Sequence, residues 1–150
     1  MTASSTFTVG LVQMAVTGDA AATLAQATGK IREAAARGAQ IISLQELFNA
    51  PYFCKSLKLE RFDIAEPIPG PTVIALQKVA LELGVVLVVP IYEKQAAGLY
   101  RNSAAIIDAD GSLLGAYRKM HIPHDPLFEE KYYFTPGDVG PTFVRRSIPA

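Results

Sequence analysis

The seven residues Val85 to Ile91 (VVLVVPI) constrain this chain more than any other stretch. A continuous apolar run, mostly β-branched, leaves no polar face. It reads as a strand covered on both sides, the mark of a central strand in a parallel sheet layered by helices. Pro90 cannot donate to a ladder, so it is expected near the end of that strand. The segments before it supply the helices. From Asp19 to Arg37, the residues Leu24, Ala27, Ile31 and Ala34 recur at three- and four-residue spacing and define one helix face. Asp19 suits the N-cap and Gly38 the stop. A second helix follows the Pro69-Gly70-Pro71-Thr72 punctuation, with Pro71 in its first turn, where no N–H is needed. Val73, Leu76, Ala80 and Leu83 form its apolar stripe, and Gly84 ends it.

Two further strand-like segments, Phe7 to Met14 and Gln40 to Leu44, flank the first helix and suggest a right-handed βαβ unit. Asp108-Ala109-Asp110-Gly111 between Tyr100–Ile107 and Ser112–Tyr117 marks a β-hairpin. Residues 45–70 read as a long functional loop with a short helix near Leu57 to Phe62, and residues 118–140 read as loop. The result is an α/β order of strand, helix, strand, loop, helix and three strands. Two helices cover one face of the sheet. No element remains for the other face, which is expected to need a partner or further chain.

The balance of charge narrows the partners. Lys plus Arg number 14 and Asp plus Glu 14, which argues against a nucleic-acid partner or a basic membrane-surface patch. Met1 to Thr6 lacks the pattern of a secretory signal, and the longest apolar run is too short to span a bilayer. Cys54 is the only cysteine, so no intrachain disulfide can form, and a cytoplasmic location is the expectation. No Gly-rich loop follows a strand, which argues against a nucleotide-binding domain.

In open α/β sheets ligands gather at the carboxyl ends of strands. Glu46 follows the run Gln40 to Leu44; Arg118, Lys119 and His121 follow the hairpin; Glu129, Glu130 and Lys131 precede Tyr132-Tyr133-Phe134. Taken singly, Glu46 is a loop acid or cap, Lys119 a surface lysine, and the 129–131 cluster a solvated face. His121 and His124 lack a third ligand, so no metal site is expected. Cys54 reads as a small half-buried apolar residue, with only Lys55 beside it to activate a thiol.

The combination says more. Gly38-Ala39-Gln40-Ile41-Ile42-Ser43-Leu44-Gln45-Glu46-Leu47-Phe48 followed by Tyr52-Phe53-Cys54, then Tyr100-Arg101-Asn102-Ser103, Tyr117-Arg118-Lys119-Met120-His121-Ile122-Pro123 and Glu130 to Asp138, resemble in order and spacing the signatures of the nitrilase superfamily of carbon–nitrogen hydrolases. The resemblance implies a nitrilase-type α-β-β-α sandwich, here an incomplete N-terminal half, with residues 1–150 forming part of a single domain. It implies Glu46 as general base, Lys119 as the cation that meets the oxyanion, and Glu130 as the carboxylate that positions lysine and substrate. Tyr52, His121 and His124 are implied to lie against a small amide or N-carbamoyl substrate. No cofactor is implied, and the family is usually homo-oligomeric. Gln45 replaces the proline of the commonest form and looks more like the N-carbamoylputrescine amidase branch, although β-ureidopropionase also carries Gln-Glu. His124 stands where that branch more often has Asp.

The family's nucleophile is a cysteine beyond the catalytic lysine, and no cysteine follows Lys119. The C-terminal half is therefore expected to be absent, and the chain inactive alone or serving as a non-catalytic partner. Residues 141–150 diverge from the family. Codons compatible with Val144 to Pro149, read one base later, give Phe-Asp-Ala-Arg-Phe, so a frameshift is the expected origin of that tail.

Overall fold

Residues 6–138 are described by the computed structural model, and the divergent tail with its proposed frameshift lies outside them. Helix α1 (Ala20–Ala36) begins where the Asp19 carboxylate accepts the N–H groups of Ala21 and Ala22 at 2.8 and 3.1 Å. Those donors have no partner inside the helix, so the cap satisfies them. Its inward stripe is Thr23, Ala27 and Ile31, with the buried Thr23 hydroxyl meeting Thr17 Oγ1 at 2.9 Å. Helix α2 (Pro71–Leu83) buries Val73, Leu76, Val79 and Ala80. Left-handed glycines, Gly38 at φ 88° and Gly84 at φ 64°, turn the chain out of both helices. One cap was not legible: the Glu66 carboxylate accepts Thr72 N–H at 2.8 Å, the Thr72 hydroxyl at 2.5 Å and Asn49 Nδ2 at 3.3 Å. It brings a negative charge to the positive end of α2.

Five strands form one sheet in sequence order: β1 (Val9–Val12), β2 (Ile41–Leu44), β3 (Val86–Ala96), β4 (Leu99–Ile107) and β5 (Leu113–Arg118). The first three are mutually parallel, and β4 and β5 add antiparallel. Strand β3 is central as expected, but parallel to β2 alone. It also runs past Ile91 through Tyr92-Glu93-Lys94-Gln95 into a tight turn at Ala97-Gly98, so Pro90 lies in mid-strand and not near its end. The register explains the tolerance. Strand β2 pairs with β3 only as far as Val88, so beyond it no β2 acceptor awaits a donor. The main chain of Glu66 takes over that edge further on, accepting from Lys94 N–H at 2.7 Å.

Side chains of β3 alternate between two environments. Leu87, Val89 and Ile91 join Ile42, Ala105 and Ile107 beneath α1 and α2 in the main core. Most of the opposite face stands open among the described residues: Leu11 is 81% exposed, and Val9 and Tyr117 are exposed too. Only at the carboxyl end of β3 is this face covered. There the two long loops fold over Tyr92 and build a second cluster from Leu47, Phe53, Cys54, Ile122, Tyr133 and Phe134. The first loop contains a 3-10 helix at Leu59–Ile64, close to the expected short helix. The second contains a four-residue helix, α3 (Glu130–Tyr133), where the sequence pattern shows only loop.

Candidate active site

Strand β5 runs antiparallel to β4 and so points the same way as β2. The carboxyl ends of β2 and β5 therefore open on one edge of the sheet, and Glu46 and Lys119 follow them directly. Two local features aim Glu46. The amide of Gln45 grips the end of β1, with Oε1 accepting Met14 N–H at 2.6 Å and Nε2 donating to Met14 O at 2.9 Å. It acts as one more rung of the β1–β2 ladder, which a proline at this position would lack. Leu47 then adopts φ 50° and is buried, so the chain reverses immediately after Glu46. A left-handed branched residue costs about 1 kcal/mol or more, offset here by the burial of its side chain.

Lys119 is held from the other side. Its N–H donates to Asn102 O at 2.8 Å and its carbonyl accepts from Gly137 N–H at 2.8 Å. A Cβ on Gly137 would collide with the Arg118 carbonyl, so only glycine lets the 135–138 segment lie this close. Behind the sheet, the buried Glu93 carboxylate (3% exposed) takes both Arg118 Nε at 2.8 Å and Nη2 at 2.6 Å, and Ser103 Oγ at 2.6 Å. Burial pushes the Glu93 carboxyl up, but the hydrogen bonds from Arg118 and Ser103 outweigh it and hold it below the usual glutamate range. Asp138 closes the network on Arg101 at 3.1 Å and Arg118 at 3.3 Å.

On the open side of the sheet the three acid–base candidates meet. Lys119 Nζ lies 3.1 Å from Glu46 Oε1 and 2.8 Å from Glu130 Oε2. Glu130 is 2% exposed, and its other oxygen accepts the Tyr52 hydroxyl at 2.9 Å. Burial is the largest single influence on Lys119 and works against its charge; the bonds to Glu130 and Glu46 prevail and raise its pKa above the ordinary lysine value. Burial, reinforced by Glu130, pushes the Tyr52 hydroxyl up as well, so it stays a neutral donor. Asn102 Nδ2 donates to Glu46 Oε1 at 2.7 Å. A cavity of about 200 Å³ opens here, lined by Glu46, Pro90, Asn102, Ala104, Tyr117 and Lys119. Larger hollows lie elsewhere, but none of them contains this carboxylate–ammonium pair.

The structure thus brings Glu46, Lys119, Glu130 and Tyr52 together. It places the histidines apart from them: His121 lines a separate exposed hollow beside Met120, Lys131 and Pro136, and His124 pairs with Glu129 at 3.3 Å. Cys54 is fully buried in the aromatic cluster. Burial first, then the Glu130 charge, pushes its thiol up to about 12. A thiol so rarely ionised near neutral pH is a poor nucleophile, in keeping with the apolar reading of this residue. Asn102, Gln45 and Glu93 were given no role from sequence. Asn102 and Gln45 stood inside the motifs quoted above, whereas Glu93 gave no signal, because its partner lies two strands away.

A mixed sheet with this charged trio at its carboxyl edge defines a class. The chain belongs to the carbon–nitrogen hydrolase family, whose sequence profile matches residues 8–146. Among individual relatives, it is 50% identical to N-carbamoylputrescine amidase of Solanum lycopersicum over 134 residues, covering 89% of this chain and 44% of the relative. It is 41% identical to a citrullinase of Francisella tularensis, over 88% of this chain and 46% of that one. A crystal structure of a carbon–nitrogen hydrolase from Helicobacter pylori superposes with a TM-score of 0.85 at 39% identity, covering 89% of this chain and 46% of that chain. The chain spans about half the length of the relatives it matches.

Proposed function

We propose that Glu46, Lys119 and Glu130 serve the hydrolysis of a non-peptide C–N bond in a small amide or N-carbamoyl amine, of the N-carbamoylputrescine kind. The attacking cysteine is one that this sequence does not contain after Lys119. The observation that carries the reading is the Lys119 ammonium bridging Glu46 and Glu130 at 3.1 and 2.8 Å. Surface salt bridges do not need a second, buried carboxylate, whereas a fixed ammonium beside a reacting carbonyl is well suited to hold a developing oxyanion.

The chemistry follows from the charges. As the sulfur attacks the substrate carbon, Glu46 takes the thiol proton and the carbonyl electron pair moves to oxygen. Lys119 holds that oxyanion. Collapse expels the nitrogen leaving group, ammonia or an amine, which takes the proton back from Glu46 and leaves a thioester, or a thiocarbamate where the substrate is an N-carbamoyl amine. Glu46 next takes a proton from water as the hydroxide adds to the carbonyl carbon of that intermediate. Collapse then frees the thiolate, which recovers the proton. Glu130, anchored by Tyr52, keeps the ammonium aimed.

The test completes the site. The chain through Asp138, fused to the C-terminal half of the tomato relative, is expected to release ammonia from N-carbamoylputrescine. Glu46→Gln or Lys119→Met in the fusion should lower kcat by about 1000-fold or more. A fusion that folds yet stays inert, or one indifferent to both substitutions, overturns the reading. A second reading, that this half pairs with another chain without catalysing, draws on the exposed sheet face around Leu11. It expects association with a complete relative in size-exclusion chromatography and no turnover in the fusion.

A further inference from the structure

We infer that Asn102 is a positioning residue for Glu46, and that Oε2 of Glu46 is the oxygen that carries the proton; the inference deepens the proposed function and rests on it. Asn102 is buried on β4. Its carbonyl accepts Lys119 N–H at 2.8 Å, which makes the two residues fixed neighbours across the strands. From that anchored position its side-chain amide reaches Glu46 Oε1 at 2.7 Å, the same oxygen that Lys119 Nζ meets at 3.1 Å. A carboxylate accepts only, so the amide must present its NH2 there. Oε1 thus holds two donors, one of them cationic. Oε2 takes no hydrogen bond among the described residues, and Glu46 borders the cavity.

This asymmetry has a consequence for the reaction. The terminal torsion of glutamate is soft and nearly two-fold, so an ammonium alone could hold either oxygen in turn. Asn102, tied to the strand that faces Lys119, removes that freedom. The oxygen with two donors is already engaged by Asn102 and Lys119, and the other is not. Oε2 is left to accept the proton from sulfur, pass it to the departing nitrogen, and accept the next from water, without the carboxylate rotating between steps. An uncharged donor suits the position. A second carboxylate would repel Glu46, and a second cation would compete with Lys119.

The backbone bond from Lys119 survives any side chain at 102, so side-chain variants isolate the amide's part. In the fusion described above, Asn102→Leu is expected to lower kcat about 10- to 100-fold while KM stays within about threefold. Asn102→Asp is nearly isosteric and supplies a second readout. Its activity relative to the parent should climb as pH falls from about 8 to about 6, because a proton on one of two facing carboxyls restores the missing donor. A merely structural asparagine would lower Tm in both variants and leave that ratio flat with pH, which overturns the inference. Turnover of Asn102→Leu within about twofold of the parent also overturns it, while an inactive Glu46→Gln keeps the functional reading. An active Glu46→Gln sinks the functional reading and this inference together.

Discussion

Lys119 keeps its charge in a half-buried position because two carboxylates meet it, and each is fixed by a neutral donor of its own: Asn102 for Glu46, Tyr52 for Glu130. The arrangement leaves few polar atoms idle. Tyr92 is the exception: its hydroxyl is buried without a partner among the described residues, under Phe53, Phe134 and Tyr100. A lone buried hydroxyl opposes folding, since it loses water and gains nothing. Tyr92→Phe should therefore raise stability, by about 1 kcal/mol, in a urea-unfolding comparison with the parent. A loss of stability would mean that the hydroxyl has a partner. Asn102 and Glu46 were both visible in the sequence, but only Glu46 carried an expected role. The amide's purpose depends on a bond to a residue 56 positions away.

At the scale of elements, the sheet end is clamped from both faces. Glu93 on β3 and Arg118 on β5 form a buried pair across β4, and the residue after Arg118 is the lysine of the site. Because the folded carboxyl of Glu93 lies below its ordinary value, the stability it contributes is fully present above the unfolded-chain value of about 4.3 and is lost as pH falls through the folded value. Glu93→Gln should lower stability near neutral pH by about 2 to 4 kcal/mol, since Arg118 loses its main partner. The gap to the parent should narrow in acid, where both lack the charge. A pH series of denaturant midpoints checks this, and a gap that is constant with pH removes Glu93 as the cause. The elements themselves were largely legible. Asp19, Pro71 and the three- and four-residue spacings act within one or two turns, so α1 and α2 followed from local pattern. The extension of β3 to Ala96 and the α3 turn did not, because Glu93 and Glu130 look like solvent residues until their partners arrive from elsewhere.

The whole molecule is two-sided. Its helices protect one face of the sheet, while Leu11, Val9 and Tyr117 stand exposed on the other. Apolar surface of this kind binds hydrophobic dyes and favours association, and the balanced charge of 14 against 14 does little to oppose it. The folded chain should enhance the fluorescence of an anilinonaphthalene dye. Leu11→Lys should cut that enhancement by about half with little loss of stability, because Leu11 lies outside the main core. Equal dye binding in the variant would place the exposed patch elsewhere. By itself the sequence determined the alternation of strands and helices and the family, and it singled out Glu46, Lys119 and Glu130 as candidates, because apolar periodicity, caps and motifs are written in neighbouring residues. Tertiary structure alone decided the antiparallel pairing of β3 with β4, the separation of His121 and His124 from the charged trio, and the choice of one Glu46 oxygen by Asn102. Those outcomes depend on distances between strands that only folding sets.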